Sequence, residues 1–423
     1  MGDEIRMAHA RGSAPIGTRQ STEAPDVMSD AFDAPTLRRP DRALHTESGA
    51  GGGRRAAAPQ VAPRVIDAAR SSFRARFWGV RGSYPTTFTQ GSRIGGATTC
   101  LEVRAGRHIV IVDAGSGIIA LGESLEREWR DLSPAERPTL TMLFTHAHHD
   151  HLCGLPFFAP LFDPQAQITL LGPDLAGMRF DEIIAGYMRS PYFPVDFRQL
   201  PSRRTLISIG DGARLSWDAD AQAPRVLHGR RGADGARMAD AAPANRAGED
   251  PTTQPGRPAT AHGDVGATLV VRAIHSNLHP REGTLIYRIG VGAHSLVFAT
   301  DVEVGAHGPD ADARFIQFAR GADVLAHDAQ YSEEDYRGDP IPAVGVAPVG
   351  AGAPRPTHRG FGHSTPLMAA DVARRAGVGQ LALIHHNPAY DDAAVEALAD
   401  DARRHFPNVI AASEGLELTI GEA

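Results

Sequence analysis

Thr145-His146-Ala147-His148-His149-Asp150-His151 holds four imidazoles and a carboxylate in seven residues. Leu140-Thr141-Met142-Leu143-Phe144 precedes it and reads as a buried strand. Cys153-Gly154-Leu155-Pro156 follows it and reads as a turn. A solvated loop has no use for that density of histidine. A metal site does, because neutral imidazole is a common ligand and a carboxylate suits a second divalent ion. His146 and His148 stand two apart at the strand end and can converge on one ion. Asp150 and His151 then turn away and can reach a second ion close by. Histidine tracts that scavenge metal at a surface sit in polar, low-complexity sequence. This one follows an apolar strand, so the expectation is a dinuclear site built at a strand end.

Working outward, the same composition recurs at the ends of other apolar runs. The first ion needs a third nitrogen, and Ile274-His275-Ser276-Asn277-Leu278-His279-Pro280 offers two. Asp301 follows Leu296–Ala299, where a carboxylate can bind metal or cap a turn. His385 follows Leu381–Ile384, and His386 beside it should face the other way if the strand continues. Cys153 lies two residues past His151, within reach of a metal, but reads better as a small buried hydrophobe.

Several further segments stand in order with these. They are Phe77-Trp78-Gly79-Val80-Arg81-Gly82-Ser83-Tyr84-Pro85, Gly95-Gly96-Ala97-Thr98-Thr99-Cys100 and Asp113-Ala114-Gly115-Ser116-Gly117. Downstream come Ala299-Thr300-Asp301-Val302-Glu303, His327-Asp328-Ala329-Gln330-Tyr331, Gly362-His363-Ser364-Thr365 and Leu383-Ile384-His385-His386. From about residue 72 onward the chain resembles the metallo-β-lactamase superfamily. Within it, the resemblance is to the phosphodiesterase branch that includes ribonuclease Z, the carbon–phosphorus lyase accessory phosphodiesterase and bacterial cyclic-nucleotide phosphodiesterase-like proteins. Ala97 replaces that branch's usual Asn, and Ile286 replaces a Gly before Tyr287.

The resemblance implies an α+β fold, an αββα sandwich of two mixed β-sheets flanked by helices. It implies two divalent metal ions. His146, His148 and His279 would hold the first, with His279 preferred to His275. Asp150, His151 and His385 would hold the second, and Asp301 would bridge them. His363 would assist catalysis without binding metal, oriented by Asp328, and Asp150 counts among the catalytic residues too. Ser364 or Thr365 would cap the helix that starts near Pro366. Zinc is the default ion for so many imidazoles, and manganese or iron also suits a mixed nitrogen–oxygen set. The implied function is a metal-dependent phosphodiesterase that attacks a small cyclic or linear nucleotide phosphodiester with metal-activated hydroxide. A ribonuclease Z-like RNA endonuclease and a hydrolase of a non-phosphate ester or lactone are the alternatives.

Composition sets the frame. Of 423 residues, 1–71 are rich in Ala, Gly, Arg, Pro and Ser and cannot bury a core, so a disordered tail is expected. A second such stretch, about 219–266, reads as a disordered insert within a single hydrolase domain over 72–423. Roughly 300 residues remain, ample for one large core. Strands are expected at 73–80, 109–112, 140–144, 168–171, 206–209, 269–271, 285–289, 296–299 and 381–384. Helices are expected at 118–129, 313–320, 366–376 and 393–406. A net charge of −7 gives no electrostatic case for nucleic acid, which stays a secondary partner. No apolar run reaches the roughly 18 residues of a membrane span, so no membrane partner is expected. Two cysteines are too few for a disulfide framework and fit a reducing cytoplasm. A homodimer is left open. Arg81 can serve a phosphate or a structural acid, and the aromatic stretch Tyr187–Pro194 can stack a base or simply pack.

Overall fold

Side-chain alternation along the strands sorts this chain into layers. A computed structural model describes residues 72–86, 91–228, 267–339 and 356–421. Among them, the first sheet contains β1 (Phe73–Gly79), β2 (Cys100–Ala105), β3 (His108–Val112), β4 (Thr139–Leu143), β5 (Gln167–Gly172) and β6 (Arg203–Ser208). The second contains β7 (Arg214–Asp218), β8 (Arg225–Leu227), β9 (Ala267–Ser276), β10 (Thr284–Val291), β11 (His294–Ala299), β12 (Val324–Asp328), β13 (Gln380–Ile384) and β14 (Val409–Ala411). The last strand, β15 (Glu417–Ile420), returns to the first sheet beside β1. The orders are β15-β1-β2-β3-β4-β5-β6 and β14-β13-β12-β11-β10-β9-β7-β8. Both sheets are mixed: β3 to β6 run parallel and so do β11 to β14, while the neighbouring pairs are antiparallel.

Period-two alternation gives each strand two faces. Phe73, Ala75 and Phe77 of β1 and Val110 and Val112 of β3 share one core with Leu285, Tyr287 and Ile289 of β10 and Leu296 and Phe298 of β11. That core fills the space between the sheets. The intervening residues Ile109, Ile111, Leu140, Met142, Ile168 and Leu170 face outward, under α1 (Gly117–Trp129) and α2 (Phe180–Tyr187). Ile286, Val297 and Leu325 face the other way, under α3 (Pro309–Ala319), α5 (Pro366–Ala376) and α6 (Asp392–Arg403). A short α4 (Glu333–Arg337) follows β12. The result is the expected αββα sandwich of two mixed sheets.

Strands β2, β7, β8, β12, β14 and β15 and helices α2 and α4 were not expected from periodicity. β8 also corrects the insert boundary, because Arg225–Leu227 pairs with β7 inside the stretch read as disordered. The tail 1–71 and residues 229–266 lie outside the described residues. The sheets meet at one end, where Tyr287 Oη donates to Phe144 O at 2.6 Å and Leu285 N donates to Thr145 O at 2.9 Å. Asp113, Thr145, Asp301, Asp328 and His385 all lie at or just past the carboxyl ends of β3, β4, β11, β12 and β13. Ligand sites in α/β sheets form at such ends.

Candidate metal centre

Backbone geometry marks the site before any side chain is considered. Asp113, Asp301 and His385 have φ of 61°, 55° and 59°, in the left-handed region that non-glycine residues seldom enter. Each stands just past a strand end. Ser83 shares the conformation at φ 63°, and its N–H donates to Asp150 Oδ2 at 2.8 Å. Strain of this kind persists where surrounding bonds over-determine it, and it concentrates at functional sites.

The side chains collect in overlapping clusters whose nitrogen and oxygen atoms lie within 4.8 Å of one another. His146, His148, His279 and Asp301 form one cluster, and Asp150, His151 and His385 another. Asp301 belongs to both neighbourhoods. Its Oδ1 is 3.7 Å from His146 Nε2, and its Oδ2 is 3.1 Å from His151 Nε2 and 3.3 Å from His385 Nε2. Asp150 Oδ2 sits 3.3 Å from His151 Nε2 and 3.2 Å from His385 Nε2. All are buried except His148, which faces solvent. All seven expected ligands therefore converge.

The chemistry of this donor set fits divalent cations. His146 Nε2 and His151 Nε2 are buried ring nitrogens with no hydrogen-bond partner, and both face Asp301. Burial and neighbouring imidazoles hold His146 well below the usual histidine range, and burial likewise lowers His148 and His279. These three rings are neutral near pH 7, the form that binds metal. The second group behaves differently. Burial opposes a proton on His151, yet Asp150, Asp301 and Asp113 raise it well above its ordinary value. Burial opposes one on His385 too, and Asp301 and Asp150 still push it up to about 9. Burial works against ionising Asp150 and Asp301, but the imidazoles hold both carboxyls well below their usual range. A proton and a divalent cation compete for such an anionic pocket.

Two more carboxylates aim the rings. Asp113 Oδ2 accepts from His151 Nδ1 at 2.8 Å and from Thr145 Oγ1 at 2.8 Å, while Oδ1 accepts from Thr145 N at 2.8 Å. Asp328 Oδ2 accepts from His363 Nδ1 at 2.8 Å, and its Oδ1 accepts from Ser364 N at 3.0 Å. His363 stacks on His385, with centroids 4.9 Å apart and planes 17° apart. It forms a third cluster with Asp301 and His385. Its Nδ1 is committed to Asp328, which leaves Nε2 as the nitrogen free for other chemistry.

Glu303 is the buried acid that sequence reasoning passed over. Its Oε1 accepts from Tyr336 Oη at 2.8 Å and Gly360 N at 2.7 Å, and its Oε2 accepts from Gly362 N at 2.8 Å. These bonds fix the loop that carries His363. The same loop turns Gly362 O toward His279 Nδ1, 3.3 Å away. Glycine is required at 362, where φ is 91° and a Cβ would lie 2.1 Å from His279 Nδ1. Only the position of Glu303 in A-T-D-V-E, two residues past Asp301, hinted at a role.

Other candidates fall outside the clusters. His275 Nε2 meets Glu282 O at 2.8 Å. His386 turns away from the site to Ala412 O at 3.0 Å. Arg81 is buried and donates to the carbonyls of Gly95, Asn387 and Tyr390, so it holds loops together. Cys153 is half-buried, with its Sγ 3.4 Å from Thr98 Oγ1. Thr365 is the helix cap, its Oγ1 accepting from Met368 N at 3.3 Å. A cleft of about 840 Å³ opens from His146, His148 and His279 toward Tyr187, Tyr192 and Phe193.

No family model matches the chain. Ribonuclease Z of Thermoplasma acidophilum is 33% identical over 107 residues, which is 25% of this chain and 28% of that protein. Ribonuclease Z of Geobacillus kaustophilus is 37% identical over 101 residues, 23% of this chain and 27% of that protein. The chain thus spans little more than a quarter of either relative's length. The metallo-β-lactamase fold protein YhfI from Bacillus subtilis superposes with a TM-score of 0.47 at 17% identity, covering 82% of this chain and 99% of that one. From its paired mixed sheets to the histidines and aspartates at their strand ends, the chain has the metallo-β-lactamase fold, with ribonuclease Z as a distant relative over about 25% of its length.

Proposed function

We propose that this protein is a dinuclear metal-dependent phosphodiesterase acting on a small phosphodiester. His146, His148 and His279 would hold one ion, Asp150, His151 and His385 the other, and Asp301 would face both. Zinc is the default for the imidazole-rich set, with manganese and iron as alternatives. Two such ions lower the pKa of water and draw charge from phosphoryl oxygens.

The observation that carries the phosphodiester reading is the His363–Asp328 pair. An imidazole whose Nδ1–H is fixed 2.8 Å from a buried carboxylate has one tautomer and one orientation. With Nδ1–H held by Asp328, the doubly protonated ring can give its Nε2 proton to a departing alkoxide beside the metal clusters and return to that neutral tautomer. Asp113 and Glu303 hold His151 and the His363 loop in place and touch no reacting atom.

The ribonuclease Z likeness supports a second reading, an RNA endonuclease. One experiment separates the readings. Full-length protein is reconstituted with zinc or manganese, assayed for metal content, and offered cyclic nucleotides, linear dinucleotides, precursor transfer RNA and a lactone. We expect about two equivalents of metal and turnover of small diesters. Metal near zero after reconstitution removes the dinuclear reading, and turnover of the RNA or the lactone alone replaces the phosphodiester assignment.

A further inference from the structure

The cleft that leads from the histidines has walls that suit hydrocarbon. Phe157, Met178, Tyr187 and Phe193 line it, and Phe157 meets Phe193 edge-on at 5.8 Å. Phe157 is 57% exposed and Met178 45% exposed. Large apolar side chains left in water and gathered in one concavity mark a place that something apolar covers. Away from the histidine end, its charged lining residues are Arg189 and Glu282, one of each sign. A nucleic-acid strand needs several phosphates neutralised at once, and this surface cannot do that. A nucleobase is recognised by hydrogen bonds at its edge. Here the Tyr187 hydroxyl is bonded to His149 Nδ1 at 3.1 Å, so the tyrosine hydroxyl left for a base is that of Tyr192. The volume, about 840 Å³, is far more than a methyl or ethyl substituent fills.

We infer that this cleft selects phosphodiesters bearing a bulky apolar substituent, an aryl or comparably sized hydrocarbon group, on the ester oxygen that is retained. The assignment rests on the phosphodiesterase reading, since the cleft begins at His146, His148 and His279. The apolar group lies against the Phe157–Phe193 pair while phosphorus sits at the histidine end. Specificity comes from apolar area removed from water.

The test keeps the leaving group constant. Methyl, phenyl and 2-naphthyl p-nitrophenyl phosphates, together with thymidine 5′-p-nitrophenyl phosphate, are assayed with the metal-loaded full chain. In parallel, diphenyl and dimethyl phosphate are titrated calorimetrically into the metal-free chain. The expected result is a rise in kcat/KM of roughly 10–100-fold from methyl to naphthyl. Diphenyl phosphate should bind at least about tenfold tighter than dimethyl phosphate. Phe157→Ala and Phe193→Ala should each shrink both gradients by roughly 3–10-fold. A flat series, or a thymidine ester that outruns the naphthyl ester, overturns the assignment. Aryl-selective binding without turnover of any diester leaves the cleft assignment standing and removes the phosphodiesterase reading instead.

Discussion

His151 donates its Nδ1 hydrogen to Asp113 Oδ2 across 2.8 Å, and that bond decides where the other nitrogen of the ring points. Carboxylates accept and do not donate, so Nδ1 keeps its hydrogen and Nε2 is directed at Asp150 and Asp301, where a proton or a metal ion can sit. Thr145 occupies two further acceptor positions of Asp113 through its N–H and its hydroxyl.

Asp113→Asn keeps the shape and removes the charge. An amide facing His151 presents either an N–H, which clashes with the ring donor, or a neutral oxygen, which accepts more weakly. Removing such a partner typically costs about 10–100-fold in metal affinity. Competition titration with a chromogenic chelator should show that loss in the second equivalent of zinc and little change in the first. Unchanged affinity for both would separate Asp113 from the metal centre.

Gly82 makes a different test of the same half of the site. A Cβ there would lie 2.3 Å from His385 Nδ1 and 2.9 Å from Gln330 Oε1. Gly82→Ala therefore pushes the His385 ring off its line toward Asp150 and Asp301. Overpacking of this kind costs about 1–3 kcal/mol. The expected outcome is a metal-free Tm lowered by a few degrees and a selectively weakened second metal equivalent. A variant that binds both equivalents normally would show that the loop at Gly82 simply moves aside.

Much of this was legible in the sequence because it is local. The histidine-rich turn follows a strand of five buried residues, and the apolar run stops where the ligands begin. Helix α5 has the expected bounds since its signals are chemical: Thr365 caps it, Pro366 starts it, and Gly377 ends it at φ 63°. The unexpected strands carry weaker signals. β2 includes Glu102 and Arg104 among its six residues, and Glu102 is buried because Trp78 Nε1 and Arg104 Nε donate to it. β12 is five residues ending in His327 and Asp328, buried because β11 and β13 flank it. Those partners lie far away in the chain. The resemblance favoured His279 over His275, and tertiary placement separates the two, since His275 lies within β9 and His279 just past it, in the cluster. Asp113 and Glu303 gained their roles only when loops distant in sequence closed on them.

His108 gives the fold a measurable pH dependence away from the metal ligands. It is buried, with Nδ1 2.8 Å from Thr139 Oγ1 and its ring 6.2 Å from that of Trp217. Burial lowers its pKa below the ordinary value of about 6.5. The unfolded chain therefore takes up this proton first as pH falls. The stability tied to neutral His108 is complete above about pH 6.5 and is lost as pH drops toward the folded value. His108→Gln cannot titrate. In thermal melts of the metal-free protein between pH 7.5 and 5, the Tm advantage of wild type over this variant should shrink as pH falls. A constant difference would mean that His108 titrates alike in both states.

His363→Ala is the sharpest test of phosphodiester chemistry. The ring's Nδ1 is held by Asp328, so the structural scaffold survives its removal: Asp328 keeps Ser364 N at 3.0 Å and Asp301 N at 3.1 Å. Both metal equivalents should remain. Loss of one would instead make His363 a ligand, as its place beside Asp301 and His385 allows. If His363 gives a proton to the departing oxygen, kcat on a diester with an alkoxide leaving group should fall by roughly 10²–10⁴-fold. The loss should be much smaller with p-nitrophenolate, which leaves without protonation. Asp328→Asn should reproduce the leaving-group dependence more weakly, since the ring is still present but no longer held in one tautomer. Equal losses on both leaving groups would place His363 in substrate positioning, because a proton donor matters in proportion to the basicity of the group that departs.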